Sequence, residues 1–148
     1  MSEQSTAEST ISLSSLSTVE ELSQADIRSV LTKGSKCGAV GLSNLGNTCF
    51  MNSGLQCLAN SPELTKFFLL GKFKSQINKE NPLGMGGKLA KAYAILINEM
   101  WCGSDSRTAP HDLKRTLGTK ISRFSGYGQQ DSAELVNYIL DLLHEDLN

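Results

Sequence analysis

The residue best suited to chemistry is Cys49, which lies where a loop becomes a predicted helix. Residues 41–58 read GLSNLGNTCFMNSGLQCL, and the helix is predicted to run through Ala59 with Asn47 or Thr48 as its cap. Backbone N–H groups without intrahelical partners and the positive end of the helix dipole surround the first turn of such a helix. Both favour thiolate over thiol, so the position suits a nucleophilic cysteine.

The same loop carries groups that can stabilise negative charge on an attacked carbonyl. The N–H groups of the first turn are one source of donors, and the side-chain amide of Asn44 is a second. Gly41 and Gly46 let the backbone pass close to a substrate. The structural alternative is that Cys49 is an ordinary buried helix cysteine, because no base lies next to it in sequence.

A second polar cluster precedes the last predicted helix. Residues 125–131 read SGYGQQD, a glycine-broken loop that ends in Gln129, Gln130 and Asp131. From the residues alone, this cluster reads as a polar helix start in which Asp131 complements the helix dipole.

Mostly helical elements must position these two clusters. The sequence predicts a helix that starts at Ser61 and Pro62. It predicts a second helix from the apolar stripe between Lys88 and Trp101. A short third helix is predicted to open at Thr108 to Pro110 and to run through Leu117. The final helix carries its apolar residues on one face, namely Leu135, Ile139, Leu142, Leu143 and Leu147. Strand signals are nearly absent.

The serine-rich segment 1–38 is predicted to be a flexible extension, followed by a folded part at 39–148. A capping box at Ser17 to Glu20 and apolar residues at near-helical spacing favour a short helix at 18–33. A marginal helix without a partner is the alternative.

Composition narrows the class of protein. The 148 residues have a net charge of −1, 39% hydrophobic residues and 20% charged residues, which predicts no attraction to nucleic acid or to an anionic membrane. The N-terminus resembles neither a signal peptide nor a transit peptide, so we expect the protein in the cytoplasm, the nucleus or both.

The four cysteines form no CxxC pair, and the chain has two histidines, so we expect neither a zinc site nor any other cofactor. Scattered thiols in a reducing compartment also argue against disulfides. Cys57 and Cys102 are predicted to be small buried apolar residues.

Residues 41–58 resemble the cysteine box of the ubiquitin-specific proteases at nearly every position. Residues 125–148, SGYGQQDSAELVNYILDLLHEDLN, resemble the segment of that family that contains QQD and the helix after it. Residues 81–101, NPLGMGGKLAKAYAILINEMW, are similar to the multidomain branch of the family. The resemblance implies an α+β papain-like cysteine protease fold, of which the present segment is the mainly helical thumb.

The resemblance also implies roles for single residues. Cys49 matches the nucleophile that attacks the carbonyl at the C-terminus of ubiquitin, and Asn44 matches the oxyanion-hole asparagine. Asp131 and Glu134, with Gln130 beside them, match positions near the channel for the arginine-containing ubiquitin tail. The implied partners are ubiquitin and ubiquitin-conjugated proteins. One departure is Ala133, where the family usually has Gln or His.

The sequence lacks the histidine box from which the family takes its general base. His111, in the segment PHDLK at 110–114, and His144, in the last helix, are poor substitutes. We therefore expect the N-terminal part of a larger deubiquitinating enzyme. The alternatives are a non-catalytic protein that binds the ubiquitin tail or regulates a relative, and an unrelated helical domain in which Cys49 is structural.

Overall fold

The computed structural model describes residues 38–148 and is mainly helical in that range. The helices are α1 (Cys49–Ala59), α2 (Pro62–Leu69), α3 (Lys88–Cys102), α4 (His111–Lys120) and α5 (Ser132–Leu147). Two 3₁₀ turns, Lys72–Gln76 and Ser122–Phe124, lie in the connections. The predicted helix at 18–33 lies outside the described residues.

The helix predictions for residues 38–148 are confirmed, and α4 extends three residues beyond the predicted end at Leu117. Two short strands, β1 (Gly41–Leu42) and β2 (Arg107–Thr108), pair in parallel, with Gly41 opposite Arg107. Two-residue strands are too short to show an alternating pattern, which is why the sequence did not reveal them.

The close approach of α1 and α5 joins the two segments that carry the candidate site. A Cβ atom at Gly54 would lie 2.9 Å from Cγ2 of Val136, so only glycine allows this spacing. Around this contact the two helices bury Met51, Leu55, Leu135 and Ile139. The packing places the start of α1 beside the start of α5.

Helix α3 forms the centre of the core because its apolar stripe faces several other helices. Tyr93 is fully buried, and its ring lies edge-on to Phe68 of α2 with the centroids 4.8 Å apart. Leu113 and Leu117 of α4 are buried in the same cluster. None of the helices in the described range is both long and apolar enough to cross a membrane.

The start of α3 is held by a carboxylate from the far end of α5. Asp146 is fully buried, and its Oδ2 atom accepts hydrogen bonds from the backbone N–H groups of Leu89 (3.0 Å) and Ala90 (3.1 Å). Its Oδ1 atom accepts from the N–H of Met85. A buried carboxylate therefore occupies the positive end of this helix.

The prediction that Cys57 and Cys102 are buried was wrong, because both are exposed. In α1 the buried positions include Met51, Leu55 and Leu58, and Cys57 falls on the other side of the helix. Cys102 is the last residue of α3, beyond the buried Met100. The prediction relied on how often cysteines are buried in general, whereas the exposure of each cysteine is decided by its position on the helix relative to the apolar residues.

Candidate active site

Cys49 is the first residue of α1 and is exposed, which excludes the interpretation that it is a buried core cysteine. Thr48 is the N-cap residue by position, as predicted, but its side chain makes no capping hydrogen bond. Its hydroxyl is instead used inside the preceding loop, where it accepts from the N–H of Leu45 at 2.9 Å. The first turn is therefore free of a side-chain cap from Thr48, and Cys49 lies at the positive end of the helix.

Asn44 organises the loop before Cys49. Its Oδ1 atom accepts from the N–H of Gly46 (2.9 Å), the N–H of Thr48 (3.2 Å) and the hydroxyl of Thr48 (3.2 Å). Because the oxygen is engaged in the loop, the Nδ2 group is the part of this amide that can donate to a substrate oxyanion. The side chain thus has a structural task in addition to its predicted role.

The loop turns sharply at Gly46 and Asn47, which have φ angles of 98° and 52°. Asparagine and glycine tolerate this left-handed region better than other residues. The turn brings the loop against Tyr127, because a Cβ atom at Gly46 would lie 3.1 Å from Cδ1 of that ring. Asn47 Nδ2 donates to the carbonyl oxygen of Tyr127 at 3.0 Å.

Gln129 is the residue of the second cluster that reaches the cysteine. The thiol of Cys49 donates to Oε1 of Gln129, with 3.4 Å between sulfur and oxygen. Gln130, for which the resemblance implies a place near the channel for the ubiquitin tail, donates from Nε2 to the carbonyl oxygen of Arg123 at 3.5 Å, and its predicted role stays a prediction. Adjacent residues in an extended segment face opposite sides, and sequence alone does not show which of the two faces the thiol.

Asp131 and Glu134 both lie at the start of α5. Asp131 is the N-cap residue, and its Oδ1 accepts from the N–H of Glu134 at 2.8 Å, as the helix-start interpretation predicted. Glu134 forms an ion pair of 2.6 Å with Arg123. The hydrogen bond to Glu134 raises the pKa of the Arg123 guanidinium above its usual value.

Arg123 also lies over two aromatic rings, with its guanidinium carbon 4.9 Å from the ring centroid of Tyr138 and 5.4 Å from that of Phe124. Glu134 therefore already has a guanidinium partner within the chain. An arginine of a bound peptide must share this carboxylate with Arg123 or displace it.

Asn52 is a residue near the site that the sequence reasoning missed. Its Nδ2 donates to the carbonyl oxygens of Leu42 and Ser43, both at 3.2 Å, and so ties the loop before Cys49 to α1. Gln56, one turn later, donates to the carbonyl oxygen of Val40 at 3.4 Å. The available signal was a pair of amide side chains at i and i+4 on one face of the helix.

Neither histidine of residues 38–148 forms a hydrogen bond with the Cys49 thiol. His144 is exposed in the last turns of α5, twelve residues or about 18 Å along the helix axis from Ser132 at its start. His111 is exposed at the first position of α4 and lines a surface cavity with Lys114 and Ser125. That neither histidine is a general base for Cys49 stays a prediction.

Comparison with known proteins identifies the family. The family described as Ubiquitin carboxyl-terminal hydrolase matches residues 40–148. The chain belongs to this family. Mouse Ubiquitin carboxyl-terminal hydrolase 4 is 57% identical over 111 residues, which are 75% of the chain and 12% of that protein. Human Ubiquitin carboxyl-terminal hydrolase 15 is 55% identical over 111 residues, which are 75% of the chain and 11% of that protein.

Comparison with solved structures shows a similar fold. The structure of the SAGA Ubp8/Sgf11/Sus1/Sgf73 DUB module bound to ubiquitin aldehyde contains a chain with a TM-score of 0.64 and 24% identity. The match covers 78% of the present chain and 26% of that one. The described residues therefore have the fold of part of a hydrolase of this family, and the chain spans about an eighth of the length of its curated relatives.

Proposed function

We propose that this chain contributes the nucleophile and the oxyanion hole of a deubiquitinating cysteine protease, which hydrolyses isopeptide or peptide bonds at the C-terminal glycine of ubiquitin. The observation that carries the proposal is the placement of Cys49. It is exposed at the first position of a helix, follows a loop ordered by Asn44, and contacts Gln129 of the segment before α5. Membership of the hydrolase family supports the choice of reaction.

In this proposal the Cys49 sulfur attacks the carbonyl carbon of the terminal glycine of ubiquitin. The Nδ2 group of Asn44 and the N–H groups at the start of α1 donate to the developing oxyanion. The amine leaves with a proton supplied by a general acid, which the family resemblance assigns to a histidine of a downstream box. Water then hydrolyses the thioester and regenerates the thiol.

Asp131 and Glu134 are proposed to bind the arginine-containing tail of ubiquitin. Both are acidic and lie at the start of α5, beside the segment that contacts Cys49. Charge-assisted hydrogen bonds to guanidinium groups are strong, so these carboxylates suit a basic peptide. The helical layer α1–α5 corresponds in this proposal to the thumb of the protease, and the proposed compartment is the cytoplasm or the nucleus.

The test is turnover of a fluorogenic ubiquitin C-terminal amide by the full protein, that is, this chain with any further residues that its gene encodes. We expect Cys49→Ala to abolish turnover because the nucleophile is lost. Cys57→Ala is the matched control, since Cys57 is also an exposed cysteine of α1. Normal turnover by the Cys49→Ala protein would refute the proposal.

The second candidate function is binding of the ubiquitin tail without hydrolysis. It is favoured by one observation, namely that the carboxylates of Asp131 and Glu134 lie near the cysteine whereas neither described histidine hydrogen-bonds to it. In this case the 148-residue chain binds a peptide with the ubiquitin C-terminal sequence, and Cys49→Ala leaves the affinity unchanged. Turnover that depends on Cys49 would exclude it.

A further inference from the structure

The loop at residues 125–128 lies between helix α4 and the cysteine loop and has little packing of its own. Ser125, Gly126, Tyr127 and Gly128 are all exposed. Nothing lies within 4 Å of the position that a Cβ atom would take at Gly126. Its conformation must therefore depend on hydrogen bonds to its backbone rather than on buried side chains.

Lys114 supplies hydrogen bonds to the first half of this loop. Its ammonium nitrogen Nζ donates to the carbonyl oxygen of Gly126 at 2.9 Å and to that of Ser125 at 3.2 Å. The same nitrogen lies 5.3 Å from the ring centroid of Tyr127, a distance typical of a cation–π contact. Three consecutive loop residues thus contact one side chain from the middle of α4.

The second half of the loop contacts the site. The carbonyl oxygen of Tyr127 accepts from Asn47, two residues before the cysteine. Gln129, the first residue after the loop, accepts the hydrogen bond from the Cys49 thiol. Lys114 is therefore connected to Cys49 through this loop, which is also held at its first residue, because the N–H and the hydroxyl of Ser125 donate to the carbonyl oxygen of Ser122 and Ser125 packs against Gly118.

We propose that Lys114 is a positioning residue for Cys49, because it holds the 125–128 loop in the conformation that keeps Gln129 against the thiol. This contact places the Gln129 amide against the Cys49 sulfur, so an electrophile reaches the sulfur more easily when the contact is lost. The consequence for catalysis depends on the proposed function, but the geometric role of Lys114 does not.

The test measures the reactivity of Cys49 in the 148-residue chain with iodoacetamide at neutral pH. The thiolate sulfur displaces iodide and the thiol proton goes to the buffer, so no ubiquitin or base is needed. Peptide mass spectrometry gives the alkylation rate of Cys49 relative to that of Cys57, which is exposed on the same helix and acts as the internal reference.

We expect Lys114→Met to raise the ratio of the Cys49 rate to the Cys57 rate by about threefold to tenfold, the range set by the net free energy of one hydrogen bond. Gln129→Ala removes the acceptor directly and is expected to raise the ratio by a similar factor. Lys114→Arg restores a cationic donor to the carbonyls and is expected to return the ratio towards that of the parent chain. Lys120→Met, on the exposed end of α4, is the matched control and leaves the ratio unchanged.

An unchanged ratio in Lys114→Met would overturn the proposal. This includes an equal rise of the alkylation rates at Cys49 and Cys57, which would indicate general loosening of the fold. The melting temperature of each variant is measured by circular dichroism, and the alkylation rates are compared at a temperature below it. If Lys114→Met does not fold, Lys114→Leu, which likewise has no hydrogen-bond donor, takes its place, and an unchanged ratio there overturns the proposal equally. The two proposals can fail separately. A raised ratio of the Cys49 rate to the Cys57 rate, together with no ubiquitin hydrolysis by the full protein, would refute the proposed function and leave this role of Lys114 intact.

Discussion

The starts of α1 and α3 are two helix N-termini that the chain treats in opposite ways. At the start of α3, the buried carboxylate of Asp146 accepts hydrogen bonds from Leu89 and Ala90. At the start of α1, the N-cap residue Thr48 makes no capping hydrogen bond, and the exposed Cys49 occupies the first position. The backbone N–H groups of the first turn thus stabilise the fold at α3, whereas at α1 they lack a side-chain cap from Thr48 and are proposed to donate to an oxyanion.

Helix α5 places a carboxylate near each of these helix starts. Asp131, its N-cap residue, lies beside the cysteine site, and Asp146, near its end, accepts hydrogen bonds from the start of α3. The start of α3 is capped by a carboxylate, whereas the start of α1 lacks a side-chain cap from Thr48. This difference indicates that the start of α1 is kept for a reactive group rather than for stability. Substitutions at the two ends are therefore expected to separate stability from reactivity.

The largest effect on stability is expected for Asp146→Ala. The substitution leaves the buried N–H groups of Leu89 and Ala90 and the partly buried N–H group of Met85 without their acceptor. We expect a loss of about 3 kcal/mol in the free energy of unfolding, measured by urea denaturation followed by circular dichroism. Asp141→Ala, at an exposed position of the same helix, is the control, and an equal effect of the two changes would contradict the comparison.

A smaller effect is expected for Asn44→Ala, because three hydrogen bonds within the surface loop are lost. We expect a loss of about 1 to 2 kcal/mol in the free energy of unfolding. Asn44→Asp keeps the accepting oxygen but removes the Nδ2 donor. We expect it to retain most of the stability while lowering turnover of ubiquitin substrates by about 100-fold or more, as typical for loss of an oxyanion-hole donor. Full turnover in Asn44→Asp would exclude the oxyanion role.

For Asp131→Ala we expect a loss of about 1 kcal/mol, the usual contribution of a helix N-cap. Asparagine is an equally good cap, so Asp131→Asn is expected to keep the stability and to lose only the charge. Fluorescence anisotropy with a labelled ubiquitin C-terminal peptide then separates the two roles. Weaker binding by Asp131→Asn at unchanged stability supports the tail-binding proposal, whereas unchanged binding assigns Asp131 to capping alone.

The smallest effect on stability is expected for Cys49→Ser, within about 0.5 kcal/mol, because the side chain is exposed and fills no part of the core. Urea denaturation of this variant beside Asp146→Ala gives the sharpest contrast between the two helix starts. A large destabilisation by Cys49→Ser would show that the start of α1 is also a structural element.

Several features of the fold and the site were predictable from residues close together in the chain. The helix starting at Cys49, the proline-initiated helix at Pro62, the stripe ended by Gly103 and the Asp131 cap all follow from apolar periodicity and capping within a few residues. Three features were not predictable in this way, namely the exposure of Cys57, the pairing of strands β1 and β2, and the contact of Gln129 with Cys49.

The sequence by itself determined the helices, the position of Cys49 at a helix start and the membership of the cysteine box in a hydrolase family, because each depends on interactions or patterns within one segment. Tertiary structure alone decided which distant groups meet. The Cys49–Gln129 hydrogen bond joins residues 80 positions apart, and the Asp146–Leu89 bond joins residues 57 positions apart. Such pairs depend on how α1, α3 and α5 pack, and the packing is set by the whole core rather than by local propensity.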